Sequence, residues 1–377
     1  MKILIDNSNL VAGGGIQVAI SFLKDLITLA HDDQYIVVQS HYIANAINKE
    51  DFPTNFSFYN LDKETDKSKS KKIKFLKNFE NKVSPDIIFT VFGPSYHKSN
   101  FPKVVGFAIP YIIYPESPFL KNISLKEKIY YKSLDVLKTY CFKKYSDALI
   151  FETDNAREVF VKKKNYKKAT YTVSNTLNEV FYNKQNWKKI DIPQLDLTNA
   201  NILCLTANYA HKNLAIIPKV IDALQKIDQD FKFKFYITLE QQDINFPEEY
   251  NSYIVFIGKI ELSNIPSLYQ QMNIIFIPTL LEVFSATYLE AMYMGKPIVA
   301  SDMPFSRDIC KDNALYCAPL KGEEYAKAIY NLKKDKTLEK ILVKKGLENV
   351  KNFGTSMDRT LSYLDIFKKT LYASNKK

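Results

Sequence analysis

Residues 273–301 read NIIFIPTLLEVFSATYLEAMYMGKPIVAS, and this stretch decides the architecture. Ile274–Ile277 is a short apolar run closed by Pro278, the pattern of a strand buried on both faces of a parallel sheet. Thr279–Phe284 follows as a loop. The spacing then predicts an amphipathic helix from Ser285 through Met294, stopped by Gly295, with the next strand starting at Pro297–Ala300. Two carboxylates lie in this strand–loop–helix–strand unit, Glu282 in the loop and Glu290 in the helix, with seven residues between them. A helix start presents unbonded N–H groups and the positive end of its dipole, which suits an anion. Glu282 would flank that anion, and Glu290 could reach a neighbouring ribose.

The order of these features resembles the E-x7-E signature of the large group 1 family of retaining GT-B glycosyltransferases, which use nucleotide-sugar donors. The resemblance implies that Glu282 faces the donor sugar and Glu290 holds ribose hydroxyls. Family members usually carry Gly-Phe-Gly-Leu-Pro after the first Glu, where this chain has Val283-Phe284-Ser285-Ala286-Thr287. Small side chains at Ser285 and Ala286 still allow backbone to approach a phosphate. Phe284, Ser285, Ala286 and Thr287 are therefore expected to line the donor.

Outward from this unit, both halves of the chain alternate strands and helices, which implies parallel sheets covered on both faces. In the second half, strands are predicted at Ile202–Thr206, Phe233–Thr238, Ile254–Ile257, Ile274–Pro278, Ile298–Ser301 and Ala314–Cys317. In the first half they are predicted at Lys2–Asp6, Tyr35–Gln39, Phe56–Tyr59, Asp86–Val91, Val104–Ala108, Ala148–Phe151 and Tyr171–Val173. Tyr182–Ala200 breaks the alternation, carries Trp187 and Pro193, and reads as a linker. The expected domains are 1–183, a linker at 184–200, 201–355, and a helical segment 356–377 ending in Lys376 and Lys377. The fold class is α/β. The resemblance implies GT-B: two Rossmann-like parallel-sheet domains facing a central cleft, with the last helix crossing back to the first domain.

The loop Thr206–Asn213 leaves the first strand of the second half. Its His211-Lys212-Asn213 resembles the family's lysine motif, which places Lys212 on the donor diphosphate. A cation there would stabilise the charge that develops as diphosphate leaves. The family's additional Arg, six residues earlier, is Thr206 here; Thr206 and Asn208 would serve as neutral donors instead. By resemblance, Gly258 and Ile260, at the turn after Phe256, would hold the nucleotide base, although a plain strand-ending glycine accounts for Gly258 almost as well. In the first half, Gly13-Gly14-Gly15 stands between the first strand and a helix predicted over Ile16–Leu29. Such a glycine cluster serves close backbone approach or a bare tight turn. By resemblance Gly14 and Gly15 would face donor phosphate. His97 reads as a surface loop residue, and no general base is assigned.

Composition limits the alternatives. The chain has 377 residues, 46% apolar, 14% aromatic and a net charge of +11, so it suits two packed domains rather than a disordered chain. No run approaches the length of a membrane span. Asp6 within the first apolar stretch argues for a strand over a signal peptide. Four scattered cysteines show neither zinc spacing nor a disulfide framework, which suits a reducing cytoplasm. No Asp-x-Asp stands at a strand end, so neither metal nor cofactor is expected. The basic excess is lysine; Arg157, Arg307 and Arg359 are the arginines. That favours diffuse attraction to anionic lipid at the inner face of a cytoplasmic membrane over nucleic-acid readout. Two basic stretches mix lysines with apolar residues, Lys63–Lys82 and Leu125–Lys144. Each either lies on a membrane surface or packs its apolar stripe on the sheet, and packing is the more economical reading.

The function these readings support is transfer of a sugar from a nucleoside diphosphate sugar to a hydroxyl of a glycan or lipid-linked acceptor. By resemblance it proceeds with retention, in synthesis of a bacterial surface polysaccharide. The alternative is a non-catalytic nucleotide-sugar or glycan-binding subunit, suggested by Thr206 and the missing glycines.

Overall fold

The computed structural model describes residues 1–11, 13–29 and 32–375. Lys376 and Lys377, which close the predicted last helix, lie outside the described residues. The chain packs as two units. Unit 1 comprises Met1–Ile113, Leu125–Asn175 and Thr355–Lys377, and unit 2 comprises Tyr114–Ser124 and Thr176–Gly354. The sequence reading differs in detail, since it extends the first domain to residue 183 and does not see the excursion at Tyr114–Ser124.

Unit 1 holds a seven-stranded sheet of order β3-β2-β1-β4-β5-β6-β7. The strands are β1 (Lys2–Asn7), β2 (Gln34–Gln39), β3 (Phe56–Asn60), β4 (Ile87–Thr90), β5 (Lys103–Phe107), β6 (Ala148–Phe151) and β7 (Ala169–Thr172). All neighbours pair parallel. The principal helices are α1 (Gly14–Thr28), α2 (Lys69–Val83), α3 (Leu125–Tyr145) and α4 (Asp154–Lys164). Alternation within each strand divides its side chains between two cores. Ile3, Ile5, Val37 and Phe89 face one core, shared with Phe22 of α1. Leu4, Ile36, Val38 and Ile88 face the other, beneath Leu76 of α2.

The C-terminal helix, Ser356–Ser374, returns to unit 1. Tyr363 packs edge-on against Phe22 at 5.5 Å, and Phe367 lies 4.9 Å from Phe89. Its first turn is fastened through buried Asp25, which accepts from Ser356 Oγ at 3.0 Å and Thr360 Oγ1 at 2.8 Å. Arg359 adds bonds to Asn175 and Ser21.

Unit 2 holds a six-stranded parallel sheet of order β10-β9-β8-β11-β12-β13. Its strands are β8 (Ala200–Cys204), β9 (Phe233–Ile237), β10 (Ile254–Phe256), β11 (Ile274–Ile277), β12 (Ile298–Ser301) and β13 (Ala314–Cys317). The helices are α5 (Ile217–Ile227), α6 (Ile265–Gln271), α7 (Ala286–Tyr293), α8 (Pro304–Cys310), α9 (Gly322–Lys334) and α10 (Lys336–Asn349). Val220, Ile221 and Leu224 of α5 with Tyr325, Ala326 and Ile329 of α9 cover one face, against Ile202, Phe235, Phe276 and Val299. The linker docks on unit 2 beside α6, through Lys188 N to Ser263 O at 2.9 Å and Gln271 Nε2 to Ile190 O at 3.1 Å. All four cysteines are buried and free.

In both sheets the strand order reverses beside the first strand, between β1 and β4 and between β8 and β11. Ligands of open parallel sheets gather at the C-terminal strand ends of such a switch point.

Candidate active site

The loops that leave β8 and β11 flank the switch point of unit 2, and they carry the two residues predicted to do chemistry. Lys212 Nζ lies 2.9 Å from Glu282 Oε1 and 3.3 Å from Oε2. Both side chains are largely shielded, at 16% and 18% exposure, while remaining open to solvent on one side.

Several contacts hold this pair in place. Leu280 N donates to His211 O at 2.8 Å, joining the Glu282 loop to the Lys212 loop by main chain. Ser117 Oγ, in the Tyr114–Ser124 excursion, donates to Leu280 O at 2.6 Å from the other side. Asn213 takes a left-handed backbone, φ 57°, and its side-chain amide donates to Pro278 O at 3.2 Å and Pro319 O at 3.0 Å. Asparagine tolerates that conformation better than most residues. One residue thus turns the chain into the helical segment leading to α5 and ties it to the strand ends next door.

His211 completes the cluster. Its Nε2 stands 3.9 Å from Glu282 Oε2, and its ring stacks on Tyr209 at 5.5 Å and meets Phe119 edge-on at 6.0 Å. Burial pushes its pKa below the ordinary histidine value; Glu282 opposes the shift and Lys212 reinforces it. The ring is therefore neutral at pH 7, a hydrogen-bonding group rather than a second cation. Sequence reasoning gave it no role, although its place beside Lys212 was the available signal.

The helix after Glu282 starts one residue later than expected. Ser285 is the N-cap, with extended backbone and no side-chain bond to the first turn. With no serine oxygen capping them, the N–H groups of Ala286 and Thr287 are suited to an anion. Phe284 pairs edge-on with Phe353 at 6.1 Å.

Glu290 lies farther along α7, where it is buried, and Tyr269 Oη of α6 donates to its Oε2 at 2.9 Å. Burial lifts this carboxyl to about 7, with the tyrosine bond pulling it back down.

Thr206, Asn208, Gly258 and Ile260 belong to unit 2, in the loops that leave β8 and β10. Thr206 N donates to Thr238 Oγ1 at 2.8 Å, and Asn208 Nδ2 donates to Asp243 O at 2.5 Å. The Asn208 amide is thereby committed to a neighbouring loop. Gly258, φ 67°, donates its N–H to Leu239 O at 3.1 Å, and a Cβ there would come within 2.5 Å of Glu240 Oε1. Ile260 follows it, half-buried. Gly14 and Gly15 belong to unit 1 and begin α1 themselves, so the helix starts two residues before the predicted Ile16. A Cβ on Gly15 would press on Leu10 and Phe92 at 3.2 Å, whereas one on Gly14 would meet nothing.

His97 is corrected by the structure, for it is buried and not on the surface. Its Nε2 lies 2.7 Å from Glu80 Oε1, and Lys103 Nζ reaches Glu80 at 3.1 Å and Ser95 Oγ at 3.0 Å. The loop after β4 folds over a buried charge cluster whose members lie on α2 and β5, which no local pattern around His97 announces.

Residues 200–335 match the family described as Glycosyl transferases group 1. No curated protein sequence matches the chain. Among solved structures, sucrose-phosphate synthase (tll1590) from Thermosynechococcus elongatus superposes with a TM-score of 0.73 at 16% identity, over 99% of this chain and 100% of that one. Anabaena Alr3699/HepE in complex with UDP-glucose gives 0.70 at 14% identity, over 98% and 100%. Trehalose-6-phosphate from E. coli bound with UDP-2-fluoro glucose gives 0.68 at 13%, over 98% and 99%.

Proposed function

We propose that the chain, whose residues 200–335 match the family described as Glycosyl transferases group 1 and which has the GT-B fold, moves a sugar from a nucleoside diphosphate sugar to a hydroxyl acceptor, with retention. The observation that carries this reading is the Lys212–Glu282 pair, 2.9 Å apart beside a helix start that lacks a side-chain cap. As the bond from the anomeric carbon to the diphosphate breaks, negative charge grows on the leaving oxygen. Lys212 and the first N–H groups of α7 stabilise it in a partly desolvated setting. Glu282 offsets the positive character of the sugar ring. Retention brings the acceptor hydroxyl to the face the diphosphate leaves, and the departing phosphoryl oxygen is then the base within reach of the hydroxyl proton. Glu290 holds ribose hydroxyls, while Gly258 and Ile260 hold the base.

Uridine diphosphate sugars are the first donors to test, because two of the similar structures carry UDP-glucose or its 2-fluoro analogue. The acceptor is a hydroxyl of a glycan or a lipid-linked saccharide, in surface polysaccharide synthesis. No resident metal takes part, so turnover should survive EDTA.

Donor turnover by the wild-type chain, Lys212→Ala and Glu282→Gln tests the roles. Both variants should lose most of their activity while melting like the parent. Wild-type rates in both would end the assignment. Tight donor binding without transfer across an acceptor panel would favour the non-catalytic alternative.

A further inference from the structure

Helix α3 (Leu125–Tyr145, 21 residues) is apolar on two sides, and the side chains of one of them are exposed. The inward side is packed: Phe142 lies 4.9 Å from Phe107 and 6.1 Å from Phe160. On the outward side Leu125 is 74% exposed, Val136 67% and Ile129 61%. Tyr140 joins them, and Tyr130 and Leu137 widen the strip. At about 100° per residue, Leu125, Ile129, Val136 and Tyr140 fall within about 60° of arc. Six of the nineteen exposed large apolar side chains among the described residues sit on this single helix. Scattered exposed apolar residues mean little, but a continuous strip marks a contact surface.

The other basic stretch behaves differently. In α2, Phe75 and Phe79 stack at 5.4 Å, Phe79 meets Tyr59 at 4.5 Å, and Leu76 is buried under the sheet. Most of its lysines are the wet side of a packed helix, and the shielded Lys72 is tied to Asp66 at 2.9 Å.

We propose that the outward face of α3 lies on an anionic phospholipid surface. Charge selects this occupant. Lys126, Lys128, Lys132, Lys143 and Lys144 border the strip, whereas the acidic residues of α3 are Glu127 and Asp135, and Asp135 already faces Lys164 at 2.7 Å. A second copy of the chain docking by two-fold symmetry would set lysine against lysine. Lipid phosphates neutralise the lysines while the apolar strip enters the headgroup–acyl boundary, where tyrosine is also at home. An open hollow of about 500 Å³ beside the strip, lined by Val136, Tyr140, Lys143 and Lys144 together with the Asp135–Lys164 ion pair, offers room for a headgroup. No described helix is long and apolar enough to cross a membrane, so α3 would lie along the surface. The inference is independent of the sugar-transfer reading, since it uses no residue of that site.

The test is sedimentation of the 377-residue chain with vesicles of phosphatidylcholine alone or containing about a third phosphatidylglycerol. The chain should pellet with the anionic vesicles, stay in solution with the neutral ones, and be released by high salt. Ile129→Asp/Val136→Asp should weaken vesicle binding at least about tenfold while leaving the melting temperature and donor turnover unchanged. A Lys126→Gln/Lys128→Gln/Lys132→Gln variant should weaken it as well. Equal sedimentation with both vesicle types, or a double Asp variant that binds like the parent, would overturn the proposal. So would a solution dimer that the double Asp variant converts to monomer. Loss of donor turnover in Lys212→Ala with vesicle binding intact keeps the two readings separable.

Discussion

Replacing Glu290 by Gln should stabilise the protein at neutral and alkaline pH while impairing its use of donor. In the folded chain the carboxyl is buried, and burial raises it to about 7 from an ordinary 4.5. Between those two values the folded state binds more protons than the unfolded state. Stability is therefore greatest below the lower value, falls as pH rises through the window, and levels off above the upper one. A displacement of about 2.5 units at 1.36 kcal/mol per unit gives about 3 kcal/mol as the full penalty for ionising Glu290 in place. Glutamine keeps an oxygen for the Tyr269 hydroxyl, now 2.9 Å from Oε2, and cannot ionise. Melting curves of the two proteins, recorded from about pH 5 to pH 8, should converge at the acid end. At the alkaline end Glu290→Gln should be the more stable, by up to about 3 kcal/mol. Calorimetric titration with UDP-glucose at alkaline pH should show weaker binding to the variant, because a neutral amide is a poorer acceptor for ribose hydroxyls. Stability gained with binding lost is the mark of a charge kept for function. A stability difference that stays flat with pH, or a variant that melts below the parent at alkaline pH, would refute the reasoning.

Three further outcomes follow from particular contacts. Lys103→Met leaves Glu80 buried without its cation, since their side chains are 2% and 4% exposed. It should cost about 3–5 kcal/mol in chemical denaturation, and Lys103→Met/Glu80→Gln should recover part of that loss. Gly258→Ala forces an L side chain to φ 67° and a Cβ to within 2.5 Å of Glu240 Oε1. The backbone term alone should cost about 1–2 kcal/mol, and adding Glu240→Ala should relieve only the steric part. Asp25→Ala removes the shared acceptor of Ser356 and Thr360; it should lower stability by about 1–3 kcal/mol and expose the chain near Gly354 to limited proteolysis.

The parallel sheets were legible because buried parallel strands leave short runs rich in Ile, Val and Phe, and punctuation by Pro278 and Gly295 set their limits. Local pattern misjudged starts by a residue or two, as at Gly14 and Ala286, because glycine and serine signals do not say whether they lie inside or outside a helix. Lys212 and Glu282 could be paired before any coordinates. They follow the first and fourth strands of one alternating half, and those strands become neighbours once the order reverses between β8 and β11. His211 and Asn213 lay in the same quoted loop, but the edge-on contact with Phe119 and the bonds to Pro278 and Pro319 depend on segments 65 to 106 residues away in the chain. The burial of Glu290 was hidden for a similar reason, since its partner Tyr269 comes from another helix. The two basic stretches make the point most directly. Both carry lysines among apolar residues, and sequence ranks them alike. Only packing separates α2, whose phenylalanines are stacked inward, from α3, whose second apolar face is left to solvent. Periodicity reports that a helix has an apolar side; it takes tertiary structure to show which apolar side still lacks a partner.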